Sequence, residues 1–472
     1  MTARYFHINT IGCQMNVYDS SRLSAALRRR GYEPVESFGE ADLVIVNTCT
    51  IRAKAKQKAT SFIGRLAVEK RNNPDLIVAV GGCVAQQEGR AILSKFPQVD
   101  IVFGTHAVNR LPDLVRAVER DGRPRVEVNM TDVIAETSYP RGRPSGNISE
   151  FVTIMRGCDN YCTYCVVPYV RGREISRSPD SIVGEVRALV ETGVREVTLL
   201  GQNVNSYGNK EGHCSFPRLL ARVHDIEGLE RLRFTTSHPK DMSGELVDAF
   251  VKLDKLCDHF HLPVQSGSDR VLKGMNRKYT RADYLEKLSR LRQVRPDMAI
   301  TTDLIVGFPG ETEADFEQTM TLLDEARFDN IFAFIYSDRP QAPAAAFSGK
   351  ISRQEKKRRL ALLLERQEAI SLGKNMMLEG LTERVLVEGH SKRPGKTKDD
   401  HQPDPGMQWS GRTSSNKVVN FRRAEVCPET PVIKPGRLVQ VKVDRGFAHS
   451  LSGLAVRVDT SSHSTRGKIN AA

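Results

Sequence analysis

Three cysteines, Cys158, Cys162 and Cys165, lie in the segment RGCDNYCTYC, separated by three and then two residues. This spacing places three thiolates around one face of a cubane iron–sulfur cluster and leaves the fourth iron without a protein ligand. A zinc site is the alternative, but structural zinc sites usually pair a CxxC with a second pair of Cys or His. The histidines that could be proposed, His259 and His261, lie on a distant strand-like run. The spacing therefore predicts a 4Fe–4S cluster with one open, reactive iron.

A second set of cysteines follows three apolar, strand-like runs: Cys13 ends HINTIGC, Cys49 ends LVIVNTC and Cys83 ends LIVAVGGC. In one parallel sheet the carboxyl ends of these strands would meet at one edge and bring the three thiols together. They would then hold a second cluster with an open iron. Three ordinary buried cysteines are the alternative, because free Cys is often buried. The other cysteines, interpreted as packing residues, are Cys214, Cys257 and Cys427.

The first part of the chain alternates strand-like runs with helical patterns, which is typical of a parallel α/β sheet. We assign this N-terminal domain to residues 1–125 and a linker to residues 126–150, because ETSYPRGRPSGNISE is rich in Pro, Gly and Ser. The predicted strands are Tyr5–Thr10, Leu43–Asn47, Leu76–Val80 and Ile101–Phe103, with helices that include Ser20–Arg30 and Lys54–Lys70.

A second alternating region, residues 151–375, predicts a central partial (βα)6 barrel. Helical patterns such as Ile182–Thr192 and Arg281–Val294 separate its strands. The first cysteine triplet comes just after the first strand, at the face where such barrels place their active sites. The six predicted strands are Phe151–Met155, Glu196–Leu200, Arg231–Thr236, Phe260–Val264, Ile300–Val306 and Ile331–Tyr336.

The last part of the chain changes to short strands, RVLVEG, KVVNF and RLVQVKV, which predict a small antiparallel β-barrel over residues 376–457. Residues 458–472 are expected to form a disordered tail. An amphipathic helix, Ser352–Ser371, precedes the barrel. We interpret its basic run Lys356–Arg359 as a solvated helix face.

The small barrel carries basic and aromatic residues that suit RNA. Residues 376–472 contain 16 Lys and Arg against 10 Asp and Glu. Basic groups bind phosphates and aromatic faces stack on bases, although a solvated basic surface is an equal alternative. The candidate RNA contacts are Arg412, Lys417 and Arg422, beside Trp409 and Phe421.

Composition limits the class of protein. The 472 residues carry 70 Lys and Arg against 57 Asp and Glu, and this net charge of +13 favours polyanions such as nucleic acid. No apolar run approaches a membrane span, and the first residues carry no secretion pattern. Nine cysteines in so long a chain do not indicate a disulfide framework. We therefore expect a cytoplasmic protein, with a monomer as the default.

Two turns after predicted barrel strands contain glycine and amide residues: Gly307 in DLIVGFPGET, and Gln202 and Asn203 in LLGQNVNSYG. Glycine after a strand lets the backbone approach a ligand closely. An ordinary βα turn is the simpler interpretation of each. The residues alone leave ligand binding at these turns open.

Together the motifs resemble the radical S-adenosylmethionine (SAM) methylthiotransferase family over nearly the whole chain. The cysteine segment MRGCDNYCTYCVVPYVRGRE is the strongest likeness. GCQMNVYDS, NTCTIR and GGCVAQ resemble the N-terminal domain of that family, and HLPVQSGSDRVLKGMNR and TTDLIVGFPGET resemble its barrel. The C-terminal part resembles a TRAM domain, a small RNA-binding β-barrel. The resemblance implies a radical SAM barrel between these two domains.

The residues QMN after Cys13 are similar to the branch of the family that modifies isopentenyladenosine at position 37 of tRNA. The branch acting on threonylcarbamoyl-adenosine usually has Lys after this cysteine, and the branch acting on a ribosomal-protein aspartate usually reads Cys-Pro-Lys-Asn. One segment departs from the first branch. In YSDRPQAPAA, Gln341 and Pro343 stand where that branch commonly shows Gly-Thr, so a loop near the substrate is expected to differ.

The resemblance implies two 4Fe–4S clusters and SAM as cofactors. The cluster at Cys158, Cys162 and Cys165 would bind SAM and split it to a carbon radical. The auxiliary cluster, at the second set of cysteines, would donate a methylthio group to C2 of the adenine. The expected SAM contacts are Tyr164, Gly307, Gln202 and Asn203.

The implied partners are the anticodon loop of tRNA, an electron-donor protein of flavodoxin or ferredoxin type, and an iron–sulfur or sulfur-supply protein. Reaching C2 requires the base to leave its stack, which a single-stranded loop makes easy. Two alternatives stay open. One is the same chemistry on threonylcarbamoyl-adenosine or on a ribosomal-protein aspartate, and the other is an RNA-binding iron–sulfur redox sensor without turnover.

Overall fold

The computed structural model describes residues 4–50, 53–131, 134, 146–391, 408–423 and 432–458. Cys427, most of the predicted linker and all but the first residue of the predicted tail lie outside these ranges. Within them, separate apolar cores support an N-terminal sheet, a central barrel and a C-terminal barrel. None of the helices in these ranges combines the length and the apolar character of a membrane span.

The N-terminal unit is a parallel sheet with strands in the order β2-β1-β3-β4-β5-β6. Alternate residues of β3 face different helices, so both faces of the strand are buried and its sequence reads as the continuous apolar run LVIV. The elements are β1 (Arg4–Ile11), α1 (Gln14–Arg28), β2 (Tyr32–Pro34), β3 (Leu43–Thr48), α2 (Ala53–Asn72), β4 (Ile77–Gly82), α3 (Cys83–Glu88), α4 (Ala91–Lys95), β5 (Ile101–Phe103), α5 (Leu111–Asp121) and β6 (Arg125–Glu127).

Two strands of this sheet, β2 and β6, have no counterpart in the sequence prediction, because each is a three-residue strand at an edge. Strand β6 also runs past residue 125, the predicted end of the domain. Helix α1 begins at Gln14, well before the predicted start, because Cys13 takes the N-cap position. Asn16 accepts a hydrogen bond from the Cys13 backbone at 3.3 Å. Cys13 thus lies at the junction of β1 and α1.

The central unit is a partial barrel of six parallel strands, as predicted. Two sheets, β7-β10-β11 and β12-β13-β14, are linked by a parallel bridge between Leu232 and Leu256. Among the described strands β14 does not pair with β7, so the barrel is open on that side. The elements are β7 (Ser149–Thr153), β8 (Met155–Arg156), α6 (Val167–Arg171), β9 (Ile175–Ser176), α7 (Pro179–Glu191), β10 (Glu196–Leu200), α8 (Phe216–His224), β11 (Arg231–Thr235), α9 (Gly244–Lys252), β12 (His259–His261), α10 (Asp269–Gly274), α11 (Arg281–Val294), β13 (Ala299–Val306), α12 (Glu313–Ala326), β14 (Asn330–Ile335) and α13 (Arg353–Met376).

Helix α13 differs from the predicted solvated basic face. Arg359 is buried and forms ion pairs with Glu311 and Glu355, both at 2.7 Å. Lys356 donates a hydrogen bond to the carbonyl oxygen of Tyr336 at 3.1 Å. Because Glu311 follows β13 and Tyr336 follows β14, the basic run anchors the helix against the carboxyl ends of these strands.

The C-terminal unit is a closed five-stranded barrel in the order β15-β16-β17-β19-β18. Its strands pair antiparallel, as predicted, except for the parallel pair β17 and β19. Strands β16 and β19 had no sequence prediction. The strands are β15 (Thr382–His390), β16 (Trp409–Thr413), β17 (Val418–Arg423), β18 (Leu438–Gly446) and β19 (Leu451–Val458).

The C-terminal barrel docks on the amino-terminal ends of the central strands. Arg233 of β11 donates hydrogen bonds to the carbonyl oxygens of Thr413 at 2.7 Å and Ser414 at 2.9 Å. Arg231, at the start of the same strand, donates to the carbonyl oxygen of Arg384 at 2.7 Å. This contact leaves the carboxyl ends of the strands, where the first cysteine triplet lies, on the opposite side.

Candidate active site

The first cysteine triplet lies on a loop between β8 and α6, beyond the carboxyl end of β7. Gly157 precedes it at φ +77°, and a Cβ there would lie 1.9 Å from the carbonyl oxygen of Arg173, so only glycine fits. Within the loop, Thr163 donates its backbone N–H to the carbonyl oxygen of Met275 at 3.1 Å and its hydroxyl to that of Gly274 at 2.9 Å. These bonds hold the loop against α10.

Each thiol of this loop has an N–H donor near its sulfur, and such bonds stabilise the thiolates of cluster ligands. Burial raises the pKa of Cys165 to about 12, and the neighbouring Cys162 contributes to the rise. Without metal this thiol therefore stays protonated in neutral water, whereas a metal ion would displace the proton. The donor pairs are Asn160 Nδ2 to Cys158 at 3.4 Å, Arg277 Nη1 to Cys162 at 3.3 Å and Val167 N to Cys165 at 3.4 Å.

The second set of cysteines comes together at one edge of the N-terminal sheet. Cys13, Cys49 and Cys83 follow β1, β3 and β4, which are adjacent and parallel. A hydrogen bond from Cys49, together with the charge of Arg171, lowers the pKa of Cys13 to about 6 despite burial. Gly82, at φ +90°, lets the chain pass the Thr48 carbonyl oxygen, which a Cβ would approach to 2.3 Å. The strand-end placement of these cysteines therefore matches the sequence argument.

Helix α6 connects the two sets of cysteines. It begins directly after the first loop, and Val166 and Val170 pack with Cys83 in one buried cluster. At the end of the helix, the Arg171 guanidinium hydrogen-bonds to Cys83 and to Asp19, the latter at 3.2 Å. Burial opposes this charge, but Cys83 and Asp19 outweigh it and raise the pKa of Arg171. A buried cation thus reaches from the helix of the first loop to the second set of thiols.

Neither set of thiols is arranged as a site for a single metal ion. Among the described residues, no three Cys, His, Asp or Glu side chains converge closely enough to hold one metal ion. Around zinc all ligands bond one ion at about 2.3 Å for sulfur, whereas in a cubane cluster each thiolate binds a different iron. The geometry therefore does not support the zinc interpretation.

Two predicted cofactor contacts, Tyr164 and Gly307, lie at the mouth of the barrel. The Tyr164 hydroxyl accepts a hydrogen bond from Arg277 at 3.4 Å. Gly307, at φ +74°, donates its N–H to Glu311 at 2.6 Å, and a Cβ there would lie 2.3 Å from the Lys356 stem. The packing of α13 therefore requires glycine at this position, whatever else binds there.

The other two predicted cofactor contacts differ from each other. Asn203 has its hydrogen bonds satisfied within the protein: it donates to Ser206 at 2.9 Å and Asp241 at 2.7 Å and accepts from the His238 backbone at 3.0 Å. It therefore shapes the loop after β10. The buried Oε1 of Gln202 has no hydrogen-bond partner among the described residues, so it can accept from a bound molecule.

Several functional candidates escaped the sequence analysis. Near Gln202 in sequence or fold, the buried atoms Asn205 Oδ1, Ser237 Oγ and His238 Nε2 also have no hydrogen-bond partner in the described part of the chain. Burial and then the charge of Arg277 lower the pKa of His238 to about 2, so its ring is neutral. Their positions in the sequence, just after β10 and β11, could have indicated them as candidates, because ligands of such barrels bind beyond the strand ends.

The three predicted RNA contacts do not share one environment. Lys417 is directed into the protein, where its Nζ binds Asp329 at 3.0 Å and its side chain is 14% exposed. The structure therefore gives this lysine a role in joining the C-terminal barrel to β14, and does not support an RNA contact. Arg412 is partly exposed and pairs with Glu388 at 3.0 Å, whereas Arg422 is exposed.

Two protein families match the chain. The Radical SAM superfamily matches residues 152–323, which contain the first cysteine triplet. The Uncharacterized protein family UPF0004 matches residues 5–104, which contain the second set. The two candidate cluster sites thus belong to separately recognised segments.

Curated relatives match nearly the whole chain. A tRNA-2-methylthio-N(6)-dimethylallyladenosine synthase from Desulfosudis oleivorans is 60% identical over 455 residues, covering 96% of this chain and 97% of that protein. A protein of the same name from Geobacter metallireducens is 49% identical over 452 residues, covering 95% and 98%. Among solved structures, the radical SAM methyltransferase TsrM from Kitasatospora setae is similar in fold, with a TM-score of 0.57 and 16% identity, covering 73% of this chain and 77% of that one.

We expect the Arg171→Gln substitution to raise the pKa of Cys13, because it removes a cation that favours the thiolate. In the cluster-free wild-type protein, alkylation of Cys13 by iodoacetamide should have its midpoint near pH 6. This midpoint lies below the value of about 8.5 for an ordinary thiol. Peptide mass spectrometry over a pH series measures this midpoint. Arg171→Lys, which keeps the charge, is the matched control, and equal midpoints in all three proteins would contradict the electrostatic role.

We expect Gln341→Gly to stabilise the protein, because Gln341, which the sequence predicts to lie in a locally different loop, adopts φ +74°. A left-handed backbone costs a residue with a Cβ about 1–2 kcal/mol, and the greater freedom of glycine in the unfolded chain offsets part of the gain. The net increase in unfolding free energy should be roughly 0.5–1 kcal/mol, measured by urea denaturation. Gln341→Ala keeps the strain, so equal stabilisation by both variants would exclude this cause.

Proposed function

Because the chain belongs to the family of the tRNA-2-methylthio-N(6)-dimethylallyladenosine synthases, radical SAM enzymes with two 4Fe–4S clusters, we propose that it adds a methylthio group to C2 of N6-isopentenyladenosine in the tRNA anticodon loop. The observation that carries this proposal is the contact between two cysteine sets through α6 and Arg171. A reaction that takes its radical from one site and its methylthio group from the other requires both sites to face the same substrate base.

The residues present fit the two clusters. Each set supplies three thiols near tightly packed glycines, with hydrogen-bond donors or a buried cation to balance thiolate charge. When bound, the clusters and SAM supply the radical and the methylthio group for a carbon–sulfur bond at an unactivated C–H position. We assign the SAM-binding cluster to Cys158, Cys162 and Cys165 and the auxiliary cluster to Cys13, Cys49 and Cys83.

The protein's own residues orient these groups and exclude water. Arg277 is 3% exposed and donates to the Cys162 sulfur at 3.3 Å, to Tyr164 at 3.4 Å and to the Pro263 carbonyl oxygen at 2.7 Å. It therefore ties the cysteine loop to the segment after β12. Tyr164 is then fixed for an apolar contact with SAM, while Gln202 offers a buried acceptor.

The C-terminal barrel, which we propose is a TRAM domain, would supply RNA contacts through Arg422 and the exposed part of Arg412. These residues and the net charge of +13 support binding of tRNA phosphates.

Each reductive cleavage of SAM needs one electron, so we propose an electron-donor protein of flavodoxin or ferredoxin type. We also propose a separate sulfur-supply protein. We further propose that the enzyme acts in the cytoplasm, where tRNA is available, as a monomer.

Two separate cluster sites predict a defined iron content. Anaerobically reconstituted protein should bind about eight irons, and the Cys158/Cys162/Cys165→Ala triple variant about four. The matched Cys13/Cys49/Cys83→Ala variant should also keep about four but should still cleave SAM. Iron is measured by a colorimetric assay against protein from amino-acid analysis. A wild type that never exceeds four irons, or a triple variant that keeps none, would exclude two independent sites.

The nucleoside composition of tRNA from a deletion strain tests which substrate the enzyme modifies. Hydrolysed tRNA should lose 2-methylthio-isopentenyladenosine and accumulate isopentenyladenosine, and wild-type protein but not Cys158→Ala should restore the product. Mass spectrometry quantifies both nucleosides. Loss of a methylthio-threonylcarbamoyl species, or of a methylthio group on a ribosomal aspartate, would support the other substrates. Intact nucleosides, together with no 5′-deoxyadenosine from SAM and dithionite, would indicate a redox sensor.

A further inference from the structure

The strands of the central barrel present alternate side chains to its lumen, the interior enclosed by the six strands. Along β13, Ile300 and Leu304 belong to the core beneath the helices, so Asp303 and Ile305 point to the opposite face. On β14 Ile331 belongs to that same core, so Phe332 faces the lumen. The proposed cluster and SAM contacts do not include these lumen residues.

Asp303 and Phe332 are direct neighbours, because β13 and β14 pair in parallel with these two residues in register. Phe332 is 44% exposed, although it lies on a barrel strand. The Asp303 carboxylate is 29% exposed and lies 3.5 Å from Nε2 of His261, whose ring meets Phe332 edge-on at 5.7 Å. A carboxylate and an aromatic ring thus stand side by side, and both are partly exposed.

This pair lies one layer below the mouth. Ile305, two residues beyond Asp303, packs in the same apolar cluster as Tyr164 of the cysteine loop. Two residues of a strand span about 7 Å, a distance comparable to the width of a purine base. A base that reaches up toward the mouth would therefore have its far edge at Asp303 and Phe332.

We propose that Asp303 and Phe332 recognise the N6-isopentenyl group of the substrate adenine, an assignment that rests on the proposed function. In this base one nitrogen carries both an N–H donor and a five-carbon apolar chain. Asp303 accepts the N6–H, and the Phe332 ring covers the isopentenyl chain. The protein places a hydrogen-bond acceptor beside an apolar surface, and the N6 nitrogen of the base places a hydrogen-bond donor beside an apolar chain. The two arrangements match.

The same pair excludes the rival tRNA substrate. Threonylcarbamoyl-adenosine carries a carboxylate on its N6 substituent, and two like charges in a partly desolvated lumen repel each other. Unmodified adenosine lacks the apolar chain and leaves the Phe332 ring exposed. Asp303 is therefore a specificity-determining residue that acts on the charge of the substituent, and Phe332 one that acts on its apolar surface.

The test compares three anticodon stem-loop RNAs, carrying isopentenyladenosine, threonylcarbamoyl-adenosine or adenosine, with reconstituted protein of known iron content. For isopentenyl RNA, Asp303→Leu should lower kcat/KM about 10- to 100-fold, as expected for a lost hydrogen bond to a charged group. Asp303→Asn, which keeps shape and an acceptor but not the charge, should raise the relative rate with threonylcarbamoyl RNA. Phe332→Ala should lower the preference for isopentenyl over unmodified RNA about tenfold.

Asp225→Asn, which removes an exposed carboxylate at the end of α8, is the matched control and should leave selectivity unchanged. Iron content and 5′-deoxyadenosine formation without RNA separate a damaged cluster from a lost contact. If Asp303→Leu fails to fold, Asp303→Asn and Phe332→Ala decide. Selectivity within twofold of wild type in both Asp303→Asn and Phe332→Ala would overturn the assignment. A wild type that makes no methylthio product from isopentenyl RNA would overturn the proposed function instead.

Discussion

A buried positive charge, the guanidinium of Arg171, lies where the N-terminal sheet meets the central barrel, and the geometry of both cysteine sets depends on it. Burying an unpaired ion costs several kcal/mol, so Arg171 is stable there only with Asp19 and Cys83 beside it. Helix α6 is only five residues long and starts directly after the first cysteine loop. Any movement of Arg171 therefore moves that loop. The docking of the N-terminal sheet on the barrel thus also sets the separation between the two cysteine sets.

A second polar contact holds the same interface rigid. Arg177 forms an ion pair with Glu185 at 2.7 Å and donates to Tyr18 of α1 at 3.1 Å and to the Thr153 carbonyl oxygen at 2.7 Å. Burial raises the pKa of Tyr18 to about 12, so its hydroxyl remains a neutral partner. A buried network that links α1, β7 and α7 resists sliding. This network therefore holds the N-terminal sheet against the central barrel, as a reaction that uses both sites on one substrate requires.

The sequence predicted the elements with strong periodicity and the cysteines at their ends. Strand Glu196–Leu200 and helix Arg281–Val294 match the structure at both ends, and the thiols of the N-terminal sheet converge because parallel strands end at one edge. Buried arginines could not be found this way, since a lone Arg in a single sequence is normally on the surface. Lys417 shows the converse error, because its partner Asp329 is distant in sequence.

The C-terminal barrel covers one end of the central barrel and so determines from which sides the lumen can be reached. At the amino-terminal end, Arg233 pairs with Glu196 at 3.0 Å and binds carbonyl oxygens of the C-terminal barrel, so its charge is neutralised and that end is covered. A substrate base must then reach the lumen from the mouth or from the open side beside β14. Phe332 is exposed on that side because the strand has no further neighbour in the described sheet. The docking that buries Lys417 thus also determines where an extruded base can come into the barrel.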